Sequence, residues 1–149
     1  MQDMVIAELE SQDREGVLKE MVVFLKKKNK IAKNKELFEK LLQREKLGST
    51  AIGEGVAIPH CKMKGIKKPV VMLAVSKKSV DYQSLDGKPT YVFFLVVSSP
   101  DNPSLNLQIL AAIAHLVRKS SSLEKKILRA ESISSILDVI RKEEEKLYG

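Results

Sequence analysis

Pro89–Ser98 reads PTYVFFLVVS, and the fold turns on this stretch. Past the proline it is nearly all apolar and rich in aromatic and β-branched side chains, so it belongs in the middle of a sheet. Pro69–Ser76 (PVVMLAVS) has the same character, and Leu85-Asp-Gly-Lys-Pro between the two reads as a turn. Further upstream, Ser49–His60 (STAIGEGVAIPH) carries Gly53, Gly55 and Pro59 and reads as a turn followed by a short strand. Met4–Glu8 (MVIAE) is a candidate first strand.

Helical spacing fills the intervals. Ser11 and Asp13 are candidate caps for a helix to about Lys28, with Val17, Met21, Val22, Phe24 and Leu25 at near-helical spacing; Asn29 and Lys30 break it. A second helix is expected from about Asn34 to Leu47, with Leu37, Phe38, Leu41 and Leu42 on one side and Gly48 as its stop. After the Pro100-Asp-Asn-Pro-Ser loop, a helix starts near Ser104. Its sequence, SLNLQILAAIAHLVRK, is apolar on most sides and predicts substantial burial. Leu123–Ala130 and Ser132 to about Lys146 are two more helices, the second with Ile133, Ile136, Leu137 and Ile140 at i, i+3, i+4, i+7. The order is strand, two helices, three strands, then helices. It predicts an α/β fold with helices packed on a central mixed β-sheet. Strand order stays open.

The 149 residues fit a single domain spanning 1–149, and no composition break marks a linker. Apolar content of 44% and charged content of 30% are those of a soluble globular chain. No apolar run is long enough for a membrane span, and Met1-Gln-Asp-Met does not open a secretory leader. With one cysteine, Cys61, no internal disulfide is possible, so a cytoplasmic protein is expected. Two histidines and Cys61 make a poor metal set, and neither a metal nor a cofactor is expected. The net charge of +7 invites a nucleic-acid reading. Against it, the basic residues are interspersed with acids, aromatics are only 5%, and lysine outnumbers arginine. Solvated helix faces account for the charge.

The chemistry gathers around His60. It follows Pro59, whose ring stiffens the approach. A largely neutral imidazole at a strand end is a competent nucleophile. Arg44, near the end of the second helix, could present its planar fork to a phosphoryl group. Asn106 stands in the first turn of the apolar helix, where unpaired N–H groups and the helix dipole favour an anion. Ser49 and Thr50 offer hydroxyls, and Gly53 and Gly55 let backbone come close. Phosphoryl transfer needs mainly positioning and charge stabilisation, so such a site suffices without a metal. Each residue also has a plainer role: Arg44 as a solvated helix charge, the glycines as turn residues, Asn106 as a cap. His115, inside the apolar helix, reads as a packed structural residue. Cys61 beside His60 suggests a thiol–imidazole pair, but neighbours on extended backbone point to opposite faces.

The run Arg44-Glu45-Lys46-Leu47-Gly48 followed by STAIGEGVAIPHCK, then PVVMLAVSKKSVDY, DGKP and YVFFLVVSSP, then NLQILAAIAHLV, resembles the A component (EIIA) of the phosphoenolpyruvate-dependent sugar phosphotransferase system, fructose/mannitol type. The nitrogen-related regulatory A protein is in the same family. The resemblance covers about Met4 to Lys146, and its sharpest part is the arginine–glutamate pair Arg44-Glu45 followed by Thr50-x-x-Gly-x-Gly-x-Ala-x-Pro-His60. It implies helices on both sides of the sheet and His60 phosphorylated at Nε2. HPr would be the donor and an EIIB component the acceptor, both separate proteins; a membrane EIIC component would be involved only indirectly. Arg44 matches the family's active-site arginine. One position departs: Asn106-Leu107 stands where members often have His-Leu, and asparagine can neither become charged nor relay a proton. The rival expectations are a regulatory, protein-binding module with weak or no onward transfer and, less so, a nucleic-acid binder. Lys62, Lys64, Lys67 and Lys68 form a basic stretch after the site, read mainly as a solvated loop.

Overall fold

A computed structural model describes residues 4–148; residues 1–3 and 149, and with them both ends of the expected 1–149 domain, lie outside the described residues. Along the chain run β1 (Val5–Ile6), α1 (Arg14–Lys27), α2 (Asn34–Lys46), β2 (Ala51–Gly53), β3 (Val56–Ala57), β4 (His60–Lys62), β5 (Val70–Val80), β6 (Thr90–Ser98), α3 (Pro103–Lys119), α4 (Leu123–Arg129) and α5 (Ile133–Tyr148). The caps are local and legible. Asp13 Oδ1 accepts from Gly16 N at 2.7 Å at the start of α1. Asn102 Oδ1 accepts from Leu105 N at 3.2 Å at the start of α3, where Pro103 occupies a first-turn position that needs no N–H donor.

The sheet is mixed, in the order β1-β5-β6-β3-β2. β6 is central, as its apolar sequence predicts. It pairs antiparallel with β5 on one side and parallel with β3 and β4 on the other. Val56 and Ala57 face Val92 and Phe93, and His60 and Cys61 face Val96 and Val97 at the same offset. Hence β3 and β4 form one line along β6, interrupted at Ile58-Pro59. The interruption is local: Pro59 lacks an N–H, but its carbonyl still accepts from Val96 N at 2.9 Å.

Side chains alternate along β6 and divide the core. Phe93, Leu95 and Val97 join a cluster with Val17, Leu18, Met21 and Leu25 of α1 and Leu37 and Leu41 of α2. Val92, Phe94 and Val96 join a second cluster with Leu116 and Val117 of α3, Ile127 of α4 and Ile136 of α5. The result is three layers, with helices on both faces of the sheet. At the far end of the second layer, Glu143 of α5 accepts from Ser120 Oγ (2.5 Å), Lys126 Nζ (2.8 Å) and Lys146 Nζ (2.9 Å), tying the end of α3 to α4 and α5. The Lys126, Ser120 and Lys146 donors hold its carboxyl down at about 2.

Three details differ from the sequence expectation. Five strands, not three, lie between α2 and α3, because β2 and β3 form a hairpin around Glu54-Gly55 and β4 follows Pro59. The strand expected to stop at Ser76 runs on to Val80, with a bulge that puts Ser79 at φ 75° and absorbs the polar Lys77–Ser79 segment. Helix α3 is less buried than its apolarity suggests: of its residues only Asn106, Leu116 and Val117 are buried, and Leu107 is 68% exposed. An outer-layer helix covers the sheet with one side only. Ile109, Leu110, Ile113 and Ala114 take that side, and Leu107, Ala111 and Ala112 face outward.

Candidate active site

His60 is half-buried on β4, and its ring is oriented by its own strand. Nδ1 lies 2.7 Å from the carbonyl oxygen of Ile58. A carbonyl can only accept, so Nδ1 must carry the proton, and in the neutral ring the lone pair is then at Nε2. The register puts His60 opposite Val96, and directly paired residues share a face, so the ring lies on the α3–α5 side of the sheet.

Cys61 takes the opposite face. It packs against the α1/α2 cluster, and burial pushes its thiol up to about 12 despite the charge of Lys40. The two neighbours therefore do not form a thiol–imidazole pair.

Asn106 reaches the same end and the same face of the sheet as His60. It is 5% exposed, and its Nδ2 donates to the carbonyl of Ser99 at 2.9 Å, just beyond the end of β6. Its Oδ1 is buried and has no hydrogen-bond partner among the described residues. The start of α3, with the positive end of its dipole, is thus pinned to the strand that also carries the register partner of His60.

Arg44 lies on the other layer, in the last turn of α2, which packs on β4. The residue is half-buried, and its Nη1 donates to the carbonyl of Gly48 at 2.7 Å in an exposed contact. Among the described residues no other hydrogen bond engages the donor fork.

Ser49 and Thr50 are turned inward. Ser49 Oγ donates to Tyr82 O at 2.6 Å and accepts from Ala51 N at 3.1 Å. The Thr50 hydroxyl donates to Glu45 Oε2 at 2.5 Å, and its N–H donates to Glu45 Oε1 at 2.8 Å. These hydroxyls shape the loop between α2 and β2 and are already engaged within the protein.

Two residues to which the sequence reading gave no role stand behind this loop; Glu45 entered it only as half of the Arg44-Glu45 pair. Glu45 is 2% exposed, and Tyr82, wholly buried, donates its hydroxyl to Glu45 Oε2 at 2.8 Å. Burial, together with the nearby Glu45 charge, pushes the Tyr82 phenol far above its ordinary range, so it stays a donor. A signal for Glu45 was present: Leu37, Leu41 and Glu45 recur every four residues on the apolar side of α2.

Lys62, Lys64, Lys67 and Lys68 are all exposed, while Met63 between them is buried in the core. His115 is half-buried, with its ring centroid 6.0 Å from that of Tyr148. Among the described residues, no group of three or more His, Cys, Asp or Glu is placed to hold a metal ion. Nor is any helix among them long and apolar enough to cross a membrane.

Comparison with known proteins identifies the family. Residues 1–143 match the family described as phosphoenolpyruvate-dependent sugar phosphotransferase system, EIIA 2. The chain is 36% identical over 132 residues to the fructose-specific EIIABC component of Bacillus subtilis, an alignment that takes in 89% of this chain and 21% of that protein. It therefore spans about a fifth of that relative's length. It is 38% identical over 104 residues to a nitrogen regulatory protein of Bradyrhizobium diazoefficiens, covering 70% of this chain and 67% of the other. The crystal structure of nitrogen regulatory protein IIA-Ntr from Neisseria meningitidis shares the fold, with a TM-score of 0.85, 24% identity and 94% of each chain covered. The chain belongs to the EIIA 2 family of the phosphoenolpyruvate-dependent sugar phosphotransferase system.

Proposed function

We propose that the protein is a cytoplasmic phosphoryl carrier, accepting from phospho-HPr on His60 Nε2 and donating to an EIIB component. Membership of the EIIA family supports phosphotransfer in general terms. The observation that carries the specific reading is the Nδ1 hydrogen bond to Ile58 O, which leaves Nε2 with the lone pair. In the accepting step that lone pair attacks the donor's phosphorus. The new Nε2–P bond forms as the donor's N–P bond breaks, and the departing imidazole keeps the bonding electron pair. The proton stays on His60 Nδ1, donated to Ile58 O, throughout. The positive end of α3 balances charge on the phosphoryl oxygens, and the reading requires the Arg44 fork to reach them from the α1/α2 layer. Asn106 fixes the start of α3 on Ser99, while Ser49 and Thr50 serve by holding the preceding loop. No cofactor takes part.

The EIIABC name of the B. subtilis relative is the reason to expect EIIB as acceptor and EIIC only behind it. A second reading, a regulatory module with little onward transfer, is favoured by Asn106 in place of a second histidine and by the B. diazoefficiens relative's name. Incubation with phosphoenolpyruvate, the first enzyme of the system and HPr is expected to add one acid-labile phosphoryl group by intact mass, lost in His60→Ala. An unlabelled wild type with a competent donor refutes the carrier reading. Labelled protein that fails to discharge to EIIB, but does so as Asn106→His, selects the regulatory one.

A further inference from the structure

Glu45 is a carboxylate set into an apolar helix face, where leucine or methionine would fill the space without desolvating a charge. Its partners lead to the site. Oε1 accepts from Thr50 N at 2.8 Å. The carbonyl of Thr50 accepts from Ile58 N at 3.0 Å. The carbonyl of Ile58 accepts from His60 Nδ1 at 2.7 Å. From Oε2, which accepts from the Thr50 and Tyr82 hydroxyls, the same carboxylate clamps the loop from its other side. That loop also bears Gly48, whose N–H donates to Glu45 O at 3.1 Å and whose carbonyl holds Arg44 Nη1.

We propose that Glu45 is a positioning residue: through Thr50 and Ile58 it locks His60 in the Nδ1–H form and, through the same loop, sets the Arg44 fork. The inference rests on His60 being the phosphoryl acceptor. The chain is mechanical and moves no proton, because the N–H and C=O of Thr50, and those of Ile58, belong to different peptide groups. Its effect is on geometry. A neutral imidazole has one N–H, and a displaced Ile58 carbonyl frees the ring to place that proton on Nε2, where it removes the nucleophilic lone pair. A misplacement of about 1 Å at a reacting group costs about 100-fold in rate.

The test reads the ring directly. Long-range proton–nitrogen spectra of the wild type at neutral pH are expected to show His60 with Nδ1 protonated and Nε2 bare. Glu45→Met fills the same space but has no oxygen to accept from the Thr50 N–H, so it cuts the chain at its first link. It is expected to populate both tautomers and to slow phosphoryl acceptance from HPr by about 10-fold to 100-fold. Tyr82→Phe removes a donor from the same carboxylate but leaves the Thr50 N–H link, so it lowers stability while keeping the wild-type tautomer. A Glu45→Met protein with the wild-type ring spectrum and acceptance rate overturns the proposal, as does Tyr82→Phe mixing the tautomers equally. Should Glu45→Met not fold, the wild type decides. The Thr50 and Ile58 amide protons must exchange together in the slow class with a single His60 tautomer, and two tautomers in the wild type overturn the chain. Failure of the carrier reading looks different: a locked Nδ1–H ring that takes no phosphoryl group from a competent donor.

Discussion

Asn106→Asp is a near-isosteric change with a large, pH-dependent consequence. In the wild type Nδ2 donates to Ser99 O at 2.9 Å in a side chain only 5% exposed. An ionised carboxylate puts an acceptor oxygen against that carbonyl. The lost hydrogen bond costs about 1 kcal/mol, and burying an ion without a partner costs several kcal/mol more. The dipole of α3 opposes this with about 0.3–1 kcal/mol, rising to about 2 in a partly buried site. Desolvation wins, so the introduced carboxyl takes a folded-state pKa well above the ordinary range and donates to Ser99 O while protonated. A group whose pKa is raised on folding contributes fully below its unfolded pKa and loses that contribution as pH rises through the folded value. The variant is therefore close to wild type near pH 4. Its deficit grows by about 1.4 kcal/mol per pH unit above the unfolded pKa until the carboxyl ionises. Urea unfolding of both proteins from pH 4 to pH 8 measures this. A deficit that does not change with pH, or none at pH 8, refutes the assignment of Asn106 as a buried donor to Ser99.

Two further outcomes come from groups away from His60. Glu143 has a depressed carboxyl, so its contribution is present above its ordinary value near 4.5 and is lost as pH falls toward about 2. Its lysine partners are partly solvated, so Glu143→Gln is expected to cost about 1–2 kcal/mol at pH 7 and only a fraction of that at pH 2.5, by thermal unfolding. Cys61, half-buried with its thiol near 12, is expected to react with iodoacetamide far more slowly than a free cysteine at pH 8 and to regain ordinary reactivity in urea; equal rates with and without urea would contradict its packing under α2.

Much of the architecture was legible because its signals are local. Asp13 and Pro103 mark helix starts within a turn of themselves, and the unbroken apolar run Tyr91–Val97 marks a central strand regardless of its partners. The motif ending in Pro59-His60 singled out the imidazole in the same way. The short strands β2 and β4 were not legible, because two or three residues carry no period and exist as strands only through pairing. The outward side of α3 was misread for a related reason: its apolarity is local, but which side is covered depends on the sheet beneath it.

The amino-acid sequence alone determined the layered α/β class, the helix limits and the identity of His60 as the reactive candidate, since these rest on spacing and on residue chemistry. Tertiary structure alone decided which nitrogen of His60 carries the proton, that the Thr50 hydroxyl serves Glu45, and that Asn106 holds Ser99. A side chain's type limits the hydrogen bonds it can make. Which one it does make depends on the donors and acceptors that folding brings within about 3 Å, and the backbone carbonyls at this site acquire their directions only when the strands pair.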